Sequence, residues 1–144
     1  MKDLKFRDLF NMFAFPFFVY MLGYALEAGW ADYKVIFWPN RIVHFLGGLS
    51  IAVTAYFILQ KIKTYNVIKT STKLADFFLI LFFVMSITVF WEFYEFLSDK
   101  YLFTNAQPNV ADTMKDMFMG MLGAISFGVG WAVSHIFKPK KSVL

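Results

Sequence analysis

Four apolar runs, each close to the length that crosses a bilayer, leave this 144-residue chain very few possible folds. Crossing about 30 Å of hydrocarbon takes about 20 helical residues. The runs cover roughly 9–28, 42–60, 76–98 and 116–137. Their connections are short: ADYKVIFWPN, KIKTYNVIKTSTK and KYLFTNAQPNVADT. In lipid, backbone N–H and C=O groups must pair within a helix or around a closed barrel. The alternating segments of a barrel strand, about ten residues long, are not seen, so the runs are predicted helices. The expected fold class is therefore all-α. It is a polytopic membrane protein, a single four-transmembrane-helix bundle over residues 1–144 with no room for a second domain.

Composition agrees with that reading. Hydrophobic residues make up 59% of the chain, 20 of them Phe, and only 17% are charged, against about 25% charged in soluble domains. There is no cysteine, which excludes disulfides, a thiol nucleophile and a thiolate metal site. The formal charge of +4 does not point to nucleic acid, because the basic residues flank the apolar runs. The opening MKDLKFRD leads into an apolar run with no small-residue cleavage site after it, so no cleavable signal is expected.

The basic residues also orient the chain. Lys2, Lys5, Arg7, Lys61, Lys63, Lys69, Lys73, Lys138, Lys140 and Lys141 fall on one side, ten of the fourteen Lys and Arg. Loops rich in Lys and Arg stay cytoplasmic, so both termini are expected inside. Lys34, Arg41, Lys100 and Lys115 fall on the other side. The acidic residues lean the opposite way. Asp3, Asp8 and Asp76 sit at the inner side; Glu27, Asp32, Glu92, Glu95, Asp99, Asp112 and Asp116 sit at the outer ends, joined by His44.

Helical spacing gives these groups a common direction. Thr88, Glu92, Glu95 and Asp99 step by 4, 3 and 4 along the third run. Arg41, His44, Gly48, Ala52 and Ala55 share a face of the second, and Pro16, Tyr20, Gly23 and Glu27 a face of the first. Asp112, Asp116, Gly120, Ala124, Gly128 and Ala132 step by 4 along the fourth. Small residues mark helix–helix contact in membranes, so the charged groups that share their faces are expected inside the bundle. Charge at mid-membrane costs roughly 2.5–3.5 kcal/mol on insertion scales. Arg41, His44 and Lys115 are the groups expected to neutralise Glu92 and Glu95. Pro16 is placed to kink the first helix.

Each residue also has a plainer reading. Asp112 follows a proline-containing loop and reads as a helix N-cap. Arg41 reads as an anchor with its head in water, and His44 as a satisfied polar side chain. His135 is interfacial, and Trp30, Trp38, Trp91 and Trp131 read as belt residues. Together the residues read as a polar site formed by Arg41, His44, Glu92, Glu95, Asp99, Asp112 and Asp116. Within it, His44, Glu92, Glu95, Asp112 and Asp116 are candidate ligands for a divalent metal ion. Glu92, Glu95, His44 and Asp116 are candidates for acid–base work. A structural ion-pair network accounts for the same residues without chemistry.

The order RIVHFLGG, WEFYEFLSD, DTMKDMFMGMLGA resembles the VanZ-like families. It is closer still to a related family of small bacterial inner-membrane proteins of unknown function. Arg41, His44 and Phe45 match the first element, Glu92 or Glu95 the second, and Asp116, Gly123 and Ala124 the third. The likeness covers roughly residues 38–130. The chain departs from the VanZ pattern in lacking a Gln beside its acidic residue and in carrying Gly120 four residues after Asp116. The resemblance implies a four-helix protein of the bacterial cytoplasmic membrane linked to the cell envelope.

Three functions stay open on these residues. One is an outward-facing acidic/His site for a metal or a polar, envelope-related ligand. Another is an outer-leaflet hydrolase or transferase acting on a lipid-linked or phospholipid substrate, though no nucleophile motif surrounds Thr88, Ser98 or Thr104. The last is a non-enzymatic assembly subunit of a membrane complex. The expected partners are the lipid bilayer and a second copy or another membrane protein, not nucleic acid.

Overall fold

The computed structural model describes residues 6–29 and 37–136. Four helices account for nearly all of them: α1 (Phe6–Gly29), α2 (Phe37–Thr64), α3 (Lys73–Leu102) and α4 (Val110–Ile136). No strand occurs among the described residues. Each apolar run lies within one helix, apart from residue 137, which is outside the described residues. Most helices extend past their runs, because polar residues beyond the hydrocarbon continue the same hydrogen-bond ladder. By length and composition, Pro39–Thr64, Lys73–Leu102 and Val110–Ser134 can cross a membrane. The apolar part of α1, Met12–Leu26, is shorter.

Local chemistry sets the helix ends. Pro39 lies in the first turn of α2, where a missing N–H has no helical partner to lose. After α2, Asn66 takes the left-handed conformation at φ 57°. The Val67 N–H then reaches the Ile62 carbonyl at 3.2 Å and the Asn66 N–H the Lys63 carbonyl at 3.0 Å, which closes a Schellman motif. The Thr72 side chain caps α3 by accepting from the Ala75 N–H at 3.1 Å. Phe103, at φ 55°, turns the chain out of α3.

Helix α2 is the hub and packs against α1, α3 and α4. Helix α1 leans on α2 and reaches α3 through the edge of Tyr20 on Trp91, ring centres 6.2 Å apart. The core between α2, α3 and α4 is made of small and branched side chains: Ala52, Ala55, Leu59, Ile80, Val84 and Ala124. Phe10, Phe17, Phe18, Phe82, Phe90 and Phe93 are all exposed. So large an apolar surface is foreign to a soluble monomer and natural for helices in lipid.

The α2–α4 seam is backbone against backbone. A Cβ placed on Gly48 would stand 1.9 Å from the Gly120 carbonyl oxygen, and one on Gly123 would stand 2.1 Å from the Phe45 oxygen. Only hydrogen fits at either place. Further along, Gly128 makes room for the Phe77 ring. The small-residue stripe of α4 leaves the interface at Ala132, which is exposed.

Helix α1 runs through Pro16 unbroken. Proline has no N–H, so the carbonyl four residues before it loses its helical partner. That carbonyl belongs to Met12, and the Thr54 hydroxyl of α2 donates to it at 2.6 Å. The expected distortion is thus met by a side chain from the neighbouring helix.

Candidate functional site

The site forms where the start of α2, the second half of α3 and the start of α4 meet. The Gly48–Gly120 contact lies one turn from His44 and one turn from Asp116, so it sets how those residues face each other. Arg41 is buried, 5% exposed, and its guanidinium forks between two carboxylates of α4. One NH₂ group donates to Asp116 Oδ1, the other to Asp112 Oδ1. Asn40 Nδ2 adds a weaker contact to Asp116 Oδ2 at 3.3 Å. His44 Nε2 lies 3.7 Å from that same oxygen. Asp116 is 3% exposed.

Glu92 enters from α3 and is 6% exposed. Its Oε2 accepts from Gln107 Nε2 at 2.8 Å, and the same nitrogen reaches the Glu92 carbonyl at 3.0 Å. One ligand atom each from His44, Glu92 and Asp116 falls within 4.8 Å of the others. Three helices thus deliver an imidazole and two carboxylates to one point. Two donors bound to one ion at about 2.1 Å stand at most about 4.2 Å apart. Three donors spread around one ion stand closer still, about 3.4–3.6 Å apart, so these side chains would have to close by up to about 1 Å to share it.

A family model described as predicted membrane protein (DUF2238) matches residues 2–136. The chain belongs to this family. Comparison with curated proteins and with solved structures gives no match. Membership of DUF2238 agrees with the expectation of a membrane-protein family of unknown function and with the helices long enough to cross a bilayer.

In this DUF2238 chain the expected site residues divide. Arg41, His44, Glu92, Asp112 and Asp116 come together. Glu95 turns aside to accept from Trp91 Nε1 at 3.0 Å and is not part of the three-residue group. Asp99 faces the α3–α4 connection. It accepts from Thr104 Oγ1 at 2.5 Å, Ala106 N at 2.6 Å and Gln107 N at 2.8 Å. Arg41 was expected to neutralise Glu92; it pairs with Asp112 and Asp116 instead, because the glycine seam brings the starts of α2 and α4 close. Lys115 is exposed. Asp112 is not the cap of α4: Asn109 Oδ1 accepts from the Asp112 N–H at 3.0 Å, which frees the Asp112 carboxylate for Arg41. The side chains of Glu27, Trp38 and His135, together with Trp30 and Asp32, lie outside the described residues.

Four contributors have no counterpart among the sequence candidates: Asn40, Gln107, Asn109 and Thr113, whose side chain hydrogen-bonds Glu92. Asn109 was readable, since Asn followed three residues later by an acid is an N-terminal helix signature. Gln107 sits in a loop without periodicity and carries no such signal.

At the other end of the bundle, the Trp131 ring lies 5.9 Å from the Lys73 ammonium. It packs on Tyr56 with ring centres 5.9 Å apart, lining an open apolar groove between α2 and α4 with Leu49, Val53 and Phe127.

Proposed function

We propose that this protein binds a divalent metal ion at His44, Glu92 and Asp116. In this reading it is a multi-pass protein of the bacterial cytoplasmic membrane. All four helices cross, both termini are cytoplasmic, and the site lies toward the outer face. The observation that carries the proposal is the meeting of one imidazole and two buried carboxylates, one from each of three helices, within 4.8 Å. Charge supports it. Among the described residues, one guanidinium stands against the three carboxylates of Asp112, Asp116 and Glu92. A cation is the natural complement to that surplus.

The donor set favours a first-row transition ion over calcium. Calcium takes six to eight oxygens in a flexible shell, whereas an imidazole with carboxylates suits manganese, iron or zinc. Arg41 and Asn40 hold Asp116, and Gln107 holds Glu92, in the way outer hydrogen bonds fix metal ligands. The likeness to the VanZ-like families belongs to the same reading and rests on the order of Arg41, His44, Glu92 and Asp116 along the sequence.

Calorimetric titration of the purified protein with Mg²⁺, Ca²⁺, Mn²⁺ and Zn²⁺ tests the proposal. Mn²⁺ or Zn²⁺ is expected to bind, and Glu92→Gln with Asp116→Asn to abolish binding. Absence of binding by all four ions, or equal binding by the double variant, overturns it.

A further inference from the structure

We infer that the α3–α4 connection is a strap that positions Glu92 through Gln107, and that Asp99 is its anchor. The inference rests on Glu92 being a metal ligand. Asp99 lies two helical turns after Glu92 on the same face of α3. Its carboxylate gathers the hydroxyl of Thr104 and the backbone N–H groups of Ala106 and Gln107, at 2.5–2.8 Å. These bonds fold residues 104–107 back along the helix that Phe103, in its left-handed turn, has just ended. The Gln107 backbone is thereby fixed, and its side chain runs inward to Glu92. There Nε2 bridges Oε2 at 2.8 Å and the Glu92 carbonyl at 3.0 Å. Two contacts from one nitrogen, one of them to the main chain, define where that carboxylate oxygen sits.

The chemistry of the donor matters. Asp116 is held by a guanidinium, which offsets its charge. Glu92 is held by the neutral amide of Gln107 and the neutral hydroxyl of Thr113, which orient the carboxylate without a neighbouring positive charge to compete with a cation. Lys or Arg in place of Gln107 would hold Glu92 as firmly and compete with the ion. Gln107 is a positioning residue that acts through Glu92, and Asp99 acts through Gln107.

Co²⁺ is the probe, because its visible spectrum reports the ligand field while titration reports affinity. Gln107→Met keeps the length of the side chain and the strap's backbone bonds but removes the donor. It is expected to weaken Co²⁺ binding by about 10–100-fold, the range for lost outer partners of metal ligands, and to change the spectrum at saturation. Asp99→Ala is expected to act in the same direction, and Lys63→Ala, at the far end, to leave both readouts as in the unaltered protein. Unchanged affinity and spectrum in Gln107→Met, with Co²⁺ bound by the unaltered protein, overturns the positioning role alone. Failure of the unaltered protein to bind Co²⁺ overturns the metal reading and the strap with it.

Discussion

The two ends of the bundle each bury a carboxylate against a base, and they do so with opposite charge balance. Lys63 and Arg41 are 22 residues apart on α2, about 33 Å at 1.5 Å per residue. At the Lys63 end, Asp76 is 4% exposed and fully served. Lys63 Nζ donates to both its oxygens, at 2.7 and 2.6 Å, and Thr70 Oγ1 adds a third bond at 2.6 Å. One cation meets one anion, and the pair ties the α2–α3 turn. At the Arg41 end one cation serves two anions, while Glu92 is held by a neutral amide and His44 stands beside Asp116. A closed pair is a fastener; the open one is where the proposed metal ion would sit.

The largest test of that contrast removes the bases one at a time. Arg41→Ala strands two carboxylates in a buried site and is expected to cost about 3–5 kcal/mol. Lys63→Ala, whose ammonium is partly in water and whose partner keeps Thr70, should cost about 1–2 kcal/mol. Denaturant unfolding in detergent measures both, and equal losses would break the contrast.

A similar difference divides two of the glycine contacts. Gly48→Ala drives a methyl into a backbone carbonyl that cannot rotate away, at about 3 kcal/mol; Gly128→Ala meets the Phe77 ring, which can turn, at about 1 kcal/mol. Thermal unfolding of the two variants should rank them in that order. Metal sharpens the comparison further. Mn²⁺ at a hundredfold excess over its dissociation constant should raise stability by about 2.7 kcal/mol. The gain should vanish in Glu92→Gln and survive in Asp76→Asn.

A further test lies between the ends, where neither charge surplus nor close backbone contact operates. Thr54→Val removes the hydroxyl that serves the Met12 carbonyl, at roughly 1–2 kcal/mol. In a Pro16→Ala background the same change should cost almost nothing, because the substituted residue would give that carbonyl its helical N–H again. A double-mutant cycle reads the difference.

The helices were legible because hydrocarbon thickness and backbone pairing leave a 20-residue apolar run little choice. The seam was legible because Gly48 and Ala52 on α2, and Gly120 and Ala124 on α4, each step by four along their own helix. The types of residue at the site were also legible, but their partners were not. Which acid Arg41 meets depends on the offset between α2 and α4 along their axes, and that offset is set by the fit of Gly48 against Gly120 and Gly123 against Phe45. Periodicity within one helix says nothing of it. The pairs Glu92 with Glu95 and Asp112 with Asp116 looked alike in spacing. The second converges on Arg41, whereas the first splits, because a step of three turns Glu95 toward Trp91. Gln107 escaped notice because its link to Glu92 depends on how a loop folds.

The hydroxyl of Thr54 also bears on how the chain is made. Helix α1 is synthesised first, carrying a carbonyl that Pro16 has left without a donor, and its donor lies some forty residues downstream. Oil offers that oxygen nothing. Under the proposed four-span topology, the first helix is therefore poorly suited to wait alone in the bilayer. It is better suited to enter beside α2, as half of a hairpin that becomes complete when Thr54 arrives.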